Sequence, residues 1–369
     1  MIVITYGNDL VKNTYDTLAA SDIASYLDAG MEVSLKPNLV VPGPASNGAI
    51  THPEVIEGII LFLRDFGVRE IAVIENSAIG RGAARAFKAC GYEPLRKKHG
   101  VSLIELRNDP CQTLRHDGGG SRESYDVRIC GTALKADFLI NAPVLKGHSQ
   151  TLLTCCMKNL KGCIPHAEMK RFHELGLHGP IAALNALLKT DYCVVDGICG
   201  DLSFEEGGSP VEANRVIAGR NPVLVDSFCA ALIGYAPEEI GYLSLGREMG
   251  LGEFYSSETK TVELNADDKP RGRAKGALIA DRHRGLVDED AACSVCLAAL
   301  TFALRRLGER GRLPRGGKIG IGQGFRGKSG EGLGVGNCAR GFANCVPGCP
   351  PRAVDVMAFL DGAPLSQGK

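Results

Sequence analysis

MEVSLKPNLV (Met31–Val40), THPEVIEGIILFLR (Thr51–Arg64) and EIAVIE (Glu70–Glu75) follow one another with short gaps and set the fold class. The first is an apolar strand ending in a polar tip at Lys36 and Asn38. In the second, Thr51 is the predicted N-cap and Pro53 stands in the first turn, where a missing N–H costs nothing; apolar residues then recur at helical spacing. The third is again a buried strand. Strand, amphipathic helix and strand in this order predict an α/β protein built on a doubly wound, mostly parallel sheet covered on both faces. Ligands of such sheets bind beyond the carboxyl ends of the strands, which places Lys36, Asn38 and the stretch Glu75–Ser77 at the candidate site.

The same alternation continues outward. Ile2–Tyr6 reads as a strand, Asn13–Leu27 and Arg81–Cys90 as helices, and Val101–Leu106 as a strand. Asn108–Glu123 reads as a polar loop. Strands over Tyr125–Cys130 and Ala136–Val144 come next, the second running into Lys146, Gly147 and His148. A helix over about Gln150–Asn159 is predicted to turn its free amides toward the same mouth, inviting an anion. Lys158 and Lys161, three apart, can face one anion, although a plain basic helix end has the same spacing. Asp196 closes a strand at Tyr192–Asp196 and Asp226 lies on a helix at Val223–Ile233; each could orient a lysine, bind a cation or cap a helix. His166, His173 and His178 have spacings that match no compact metal-binding pair. Cys155 and Cys156, being adjacent, are predicted to point in different directions, one of them buried and inert.

At 369 residues and 44% apolar content, the chain has material for about two domains. The composition shift gives an α/β core at 1–255, a polar linker at 256–284 and a cysteine-rich segment at 285–369. Forty-two basic residues balance forty-two acidic ones, so neither a nucleic acid nor a membrane surface is an expected partner. Fourteen cysteines behind an opening without a basic, apolar leader point to the reducing cytoplasm. The longest apolar runs, Ala291–Leu304 and Pro222–Ala236, fall short of the roughly 20 residues that span a bilayer.

Five cysteines stand in the last quarter, between Ala291 and Leu360. Cys293 and Cys296 form a C-x-x-C pair opening an apolar helical run, where amides and dipole favour thiolates. Cys338 follows a glycine loop, and Cys349 precedes Pro350, echoing the Cys-Pro step of ferredoxin-type runs. An iron–sulfur cluster on four of the five is the leading reading; a zinc ion, or a disulfide with stray thiols, remain open. Ten glycines between Arg315 and Gly336 include Gly320-x-Gly322-x-Gly324, but no helix or acidic residue follows as a nucleotide fingerprint needs. They are expected instead to let backbone amides approach the cluster sulfurs.

KPNLV (Lys36–Val40), NAPVLKGH (Asn141–His148), MKNLKG (Met157–Gly162), VVDGI (Val194–Ile198), NPVLVD (Asn221–Asp226) and the closing GCPP together resemble the domain-of-unknown-function 362 family. Members of that family are often iron–sulfur proteins of anaerobic bacteria and archaea. The resemblance, which covers the chain to about residue 250, implies an α/β core with an iron–sulfur module appended. The tail departs from the two-cluster ferredoxin insert of many members. GNCA (Gly336–Ala339) and GCPP (Gly348–Pro351) are instead similar to cluster-binding pieces of hydrogenase small subunits and the related subunit of complex I. That similarity implies one [4Fe-4S] cluster on Cys293, Cys296, Cys338 and Cys349, with Cys345 as a spare thiol.

The expected function is that of a redox enzyme exchanging single electrons with a small anionic substrate and with a redox partner protein. Lys146, His148 and Lys158 are its candidate catalytic groups, His148 supplying a proton; Lys36, Asn38, Lys161 and Asp196 are its candidate substrate ligands. Two alternatives stand beside it: an electron-relay or structural subunit of a larger complex, and a hydratase-like Lewis acid needing three cysteine ligands.

Overall fold

The computed structural model describes residues 1–76, 83–118, 123–148, 150–202, 207, 210–270, 285–314 and 317–362, which fall into two units: 1–147 with 153–275, and 148–152 with 276–369. The expected stretch Glu75–Ser77 is described only to Asn76. Arg81 of the expected helix and 271–284 of the expected linker also lie outside the described residues.

In the first unit, β1 (Ile2–Tyr6), β2 (Glu32–Pro37), β3 (Glu70–Glu75) and β4 (Ser102–Glu105) open the chain. The helix Pro53–Phe66 joins β2 to β3. His52 holds its N-cap position in an extended conformation, Pro53 fills the first turn, and Gly67 closes it at φ 109°, a left-handed angle that suits glycine. Its face of Val55, Ile56, Ile59, Ile60, Phe62 and Leu63 is buried against the sheet's Val33, Leu35, Val73 and Ile140. Where a polar loop was expected at 108–123, β5 (Cys111–His116) pairs antiparallel with β6 (Tyr125–Cys130). The half-buried Leu114 and His116 alternate with the exposed Thr113 and Arg115, the period of a strand with one half-covered face. Then follow β7 (Phe138–Ala142), the short ribbon of β8 (Lys146–His148) and β9 (Leu152–Thr154), β10 (Tyr192–Asp201), β11 (Pro210–Gly219) and β12 (Thr261–Leu264).

The main sheet has eight strands in the order β12-β1-β11-β10-β7-β2-β3-β4. All pairs are parallel except those of β11, which runs antiparallel to β1 and β10. The α/β class and the mostly parallel sheet thus stand. Two expectations do not. Thr261–Leu264, inside the expected linker, is the edge strand beside β1, its charged Glu263 suiting an edge. The strand expected to end at Asp196 runs on to Asp201, because β11 supplies a partner through Pro210, and Asp196 lies in mid-strand.

The second unit has a parallel four-stranded sheet of β13 (Val287–Glu289), β14 (Ile319–Ile321), β15 (Gly330–Val335) and β16 (Phe342–Val346). Helices Ser294–Glu309 and Ala353–Leu360 pack with it around Leu300, Leu304, Leu307, Ile321, Val346 and Val356. Among the described residues of both units, no helix is long and apolar enough to cross a membrane.

Candidate functional site

The carboxyl ends of β2, β3 and β7 carry a dense buried polar network. Lys36, 1% exposed, places Nζ 2.9 Å from Glu75 Oε2 and 2.5 Å from the Pro37 carbonyl. Glu75 also accepts the amides of Leu39, at 3.0 Å, and Asn76, at 2.8 Å. A buried charge is tolerated only with such partners. Asn159 donates to the carbonyls of Lys36 and Pro37 at 3.0 and 3.3 Å and to Asn141 Oδ1 at 2.8 Å, so KPNLV and MKNLKG interlock. Gly162 completes the fit: a Cβ there would strike Glu75 Oε1 and the end of Lys36. Asn38 donates to Asn159 Oδ1 at 3.1 Å, and Lys146 Nζ reaches Asn38 Oδ1 at 3.4 Å and the Ala49 carbonyl at 2.6 Å.

Lys36, Asn38 and Lys146 are therefore brought together, but at 1, 8 and 1% exposure, held by protein partners. They build the floor of the sheet end. His148 belongs to the second unit, where its Nδ1 accepts the amides of Gln150 and Thr151 at 3.1 and 3.2 Å. A cavity of about 240 Å³ opens elsewhere in the first unit, among Leu145, Gly197, Gly200, Leu202, Arg215 and Lys269, and none of the expected lysines lines it.

Lys158 and Lys161 do share a neighbour. Lys161 Nζ stands 3.1 Å from His173 Nε2. Burial, then the charges of Lys161 and Lys158, hold His173 down to about 2, so its imidazole is a neutral acceptor for Lys161, with Lys158 within electrostatic reach. The helix expected over 150–159 is instead β9 followed by one turn at Cys156–Asn159 and a 3-10 turn at Leu160–Cys163. Leu152, at φ 64°, interrupts helical geometry. The amides opening the turn do not face an anion mouth: Cys156 N and Met157 N donate to Asp226 at 2.7 and 3.0 Å. Cys155 and Cys156 also depart from expectation. Their sulfurs lie 3.9 Å apart, Cys155 (φ −152°, ψ −145°) standing at the N-cap position of the turn that Cys156 opens.

Asp196, fully buried, accepts both the backbone N–H of His52, at 2.7 Å, and its ring Nδ1, at 2.8 Å. Cys199 Sγ lies 3.8 Å from His52 Nε2. Sequence reasoning missed His52 and Cys199; the signal for the first was a titratable side chain between the predicted cap Thr51 and Pro53.

In the second unit, Cys293 occupies the N-cap position of Ser294–Glu309 and Cys296 lies in its first turn. Burial, then Cys293, Cys349 and Cys338, push the Cys296 thiol up to about 12, so those three cysteines sit within electrostatic reach of Cys296. Arg326 Nε donates to Cys338 Sγ at 3.3 Å and Gln323 Nε2 to Cys293 Sγ at 3.6 Å. These sulfur donors are side chains where backbone amides were expected; the Gly336 amide goes to the Val346 carbonyl at 2.8 Å. Gly336, whose φ of 89° suits glycine, lies beside Cys296: a Cβ there would stand 3.9 Å from Cys296 Sγ. Cys345 instead approaches the Gly336 carbonyl at 3.6 Å.

The family described as Domain of unknown function (DUF362) matches residues 33–231. The thylakoid-associated protein sll1697 of Synechocystis sp. is 26% identical over 243 residues, 62% of this chain and 71% of that protein. The lactate racemase apoprotein from Thermoanaerobacterium thermosaccharolyticum superposes with a TM-score of 0.42 at 13% identity, over 64% of this chain and 57% of its own length. A protein from Thermotoga maritima gives 0.36, also at 13%, over 52% of this chain and 51% of its own.

Proposed function

The chain belongs to the DUF362 family, and from that premise we propose that it is an iron–sulfur redox protein whose second unit holds one [4Fe-4S] cluster on Cys293, Cys296, Cys338 and Cys349. What supports the proposal is that Cys293, Cys338 and Cys349 all lie within electrostatic reach of the Cys296 thiol. The donor set fits the group: four sulfurs, a glycine in place of a side chain beside one, and N–H donors aimed at two others. Among the described residues, three ligand atoms within 4.8 Å of one another occur at Cys155, Cys156 and Asp226, not among these thiols. One tetrahedral zinc ion would draw its sulfurs to roughly 3.8 Å of each other, so the wider set suits a cluster better.

When bound, such a cluster supplies one-electron transfer at a potential that the protein tunes. Arg326 and Gln323 favour added negative charge by donating to sulfur. Cys349 is exposed, which supports exchange with a redox partner protein. In the first unit, Lys158 and Lys161 attract a small anion and His173, neutral and accepting from Lys161, fixes the ammonium's direction. Lys36, Asn38, Lys146 and Asp196 position that region from within.

Anaerobic reconstitution with ferrous iron and sulfide, following visible absorption and electron paramagnetic resonance, tests the proposal. Serine at Cys293, Cys296, Cys338 or Cys349 is expected to abolish or alter the signal, while Cys345→Ser retains it. A signal that survives all four single changes defeats the ligand assignment.

A further inference from the structure

A second sulfur-rich site lies in the first unit. The helix Pro222–Leu232 carries Asp226 and Cys229 three residues apart, on one face. The turn at Cys156–Asn159 and its preceding residue bring Cys155 and Cys156 to that face. Asp226 orients the arrangement: Oδ1 accepts Cys156 N at 2.7 Å and Oδ2 accepts Met157 N at 3.0 Å, which leaves further lone-pair positions on each oxygen. Cys155 Sγ, Cys156 Sγ and an Asp226 oxygen all lie within 4.8 Å of one another, and the two sulfurs are 3.9 Å apart. Two thiolates on one tetrahedral zinc ion, at Zn–S near 2.3 Å, are separated by roughly 3.8 Å. Cys229 Sγ is in hydrogen-bonding contact with Cys155, which places a third sulfur beside the triad.

Asp226, Cys155, Cys156 and Cys229 are each 0% exposed. Among the described residues, the groups hydrogen-bonded to Asp226 are backbone amides and thiols, with no cationic side chain. A carboxylate in such a place is costly unless a cation joins it, and three thiols beside it select a thiophilic one. We infer that Cys155, Cys156, Cys229 and Asp226 form a closed structural site for one zinc-class divalent ion. Binding releases one proton from each of the three thiols, and the ion takes three thiolate sulfurs and one carboxylate oxygen. The residues have no accessible surface, so the ion enters as the chain folds.

The full chain is expressed with zinc supplementation, and zinc per chain is counted in the wild type, Cys155→Ser and Cys296→Ser. The site predicts that Cys155→Ser loses one equivalent of zinc relative to the wild type while Cys296→Ser, altered only in the second unit, keeps it. Expression with cobalt(II) in place of zinc should give tetrahedral ligand-field and thiolate charge-transfer bands that vanish with Cys155→Ser and persist with Cys296→Ser. If Cys155→Ser fails to fold by circular dichroism, Cys229→Ala serves in its place with the same expectation. Equal zinc in the wild type and the folded variant overturns the assignment. Loss of that zinc in Cys296→Ser instead would overturn it by placing the ion in the second unit. Were the second-unit thiols to hold zinc in place of a cluster, Cys296→Ser would lose an additional equivalent of its own, while the equivalent lost in Cys155→Ser would still report the first-unit site.

Discussion

His52 Nδ1 lies 2.8 Å from Asp196 Oδ2, an oxygen that also takes the His52 backbone N–H at 2.7 Å. Burial opposes the imidazolium, but Asp196, with Cys199 nearby, overrides it and the ring is pushed up to about 10 from its ordinary 6.5. The folded protein therefore holds a proton that the unfolded chain releases near 6.5. The resulting stabilisation is complete below pH 6.5, declines as pH rises and is gone above about 10. Within that window it falls by about 1.4 kcal/mol per pH unit. Thermal unfolding of the wild type and His52→Gln across the window should show the wild-type advantage shrinking with pH; a constant gap contradicts the pairing.

Lys36 and Glu75 are 1 and 3% exposed in their side chains, so removing either partner strands a charge. Lys36→Met should cost about 3–5 kcal/mol, and the double change Lys36→Met with Glu75→Gln should recover most of it. Denaturant midpoints at unchanged slope measure both.

Gly162 makes the same pair sensitive to a single methyl. Gly162→Ala forces the Lys36 and Glu75 side chains to shift and should destabilise by about 1–3 kcal/mol, read by the same midpoint. A neutral result would mean that the strand ends yield more easily than their packing indicates.

Lys158 and Lys161 flank His173, whose imidazole is held down to about 2. Lys161→Ala should raise the His173 midpoint, followed by its ring proton resonances. It should also weaken binding of small carboxylates or phosphate about tenfold or more, the loss of one charge-assisted contact. Calorimetry showing unchanged affinity removes these lysines from the anion site.

How much was legible follows from what each signal depends on. The strand–helix–strand over 31–75 was readable because local period and proline agree, although the helix Pro53–Phe66 is capped at His52, one residue after the predicted Thr51, and ends two residues beyond the predicted Arg64. Thr261–Leu264 was lost in a polar stretch because an edge strand needs no continuous apolar run. Asp196 was misplaced to a strand end because β11, the next strand, pairs back along it as far as Asp201 through the polar Pro210 end, which carries no apolar run. The lysines Lys36 and Lys146 were visible as charged tips, but not as buried ones, since burial depends on Glu75, Asn159 and the Ala49 carbonyl. The direction of Cys155 depends on a backbone angle that Asp226 helps to hold, which no local pattern reports.

Iron and acid-labile sulfide counted per chain, in protein isolated without oxygen, tests the central claim most directly. Four of each, with both lost in Cys296→Ser and kept in Cys345→Ser, is the predicted result. A folded wild-type chain that is colourless, free of iron and sulfide, and remains so after reconstitution contradicts it.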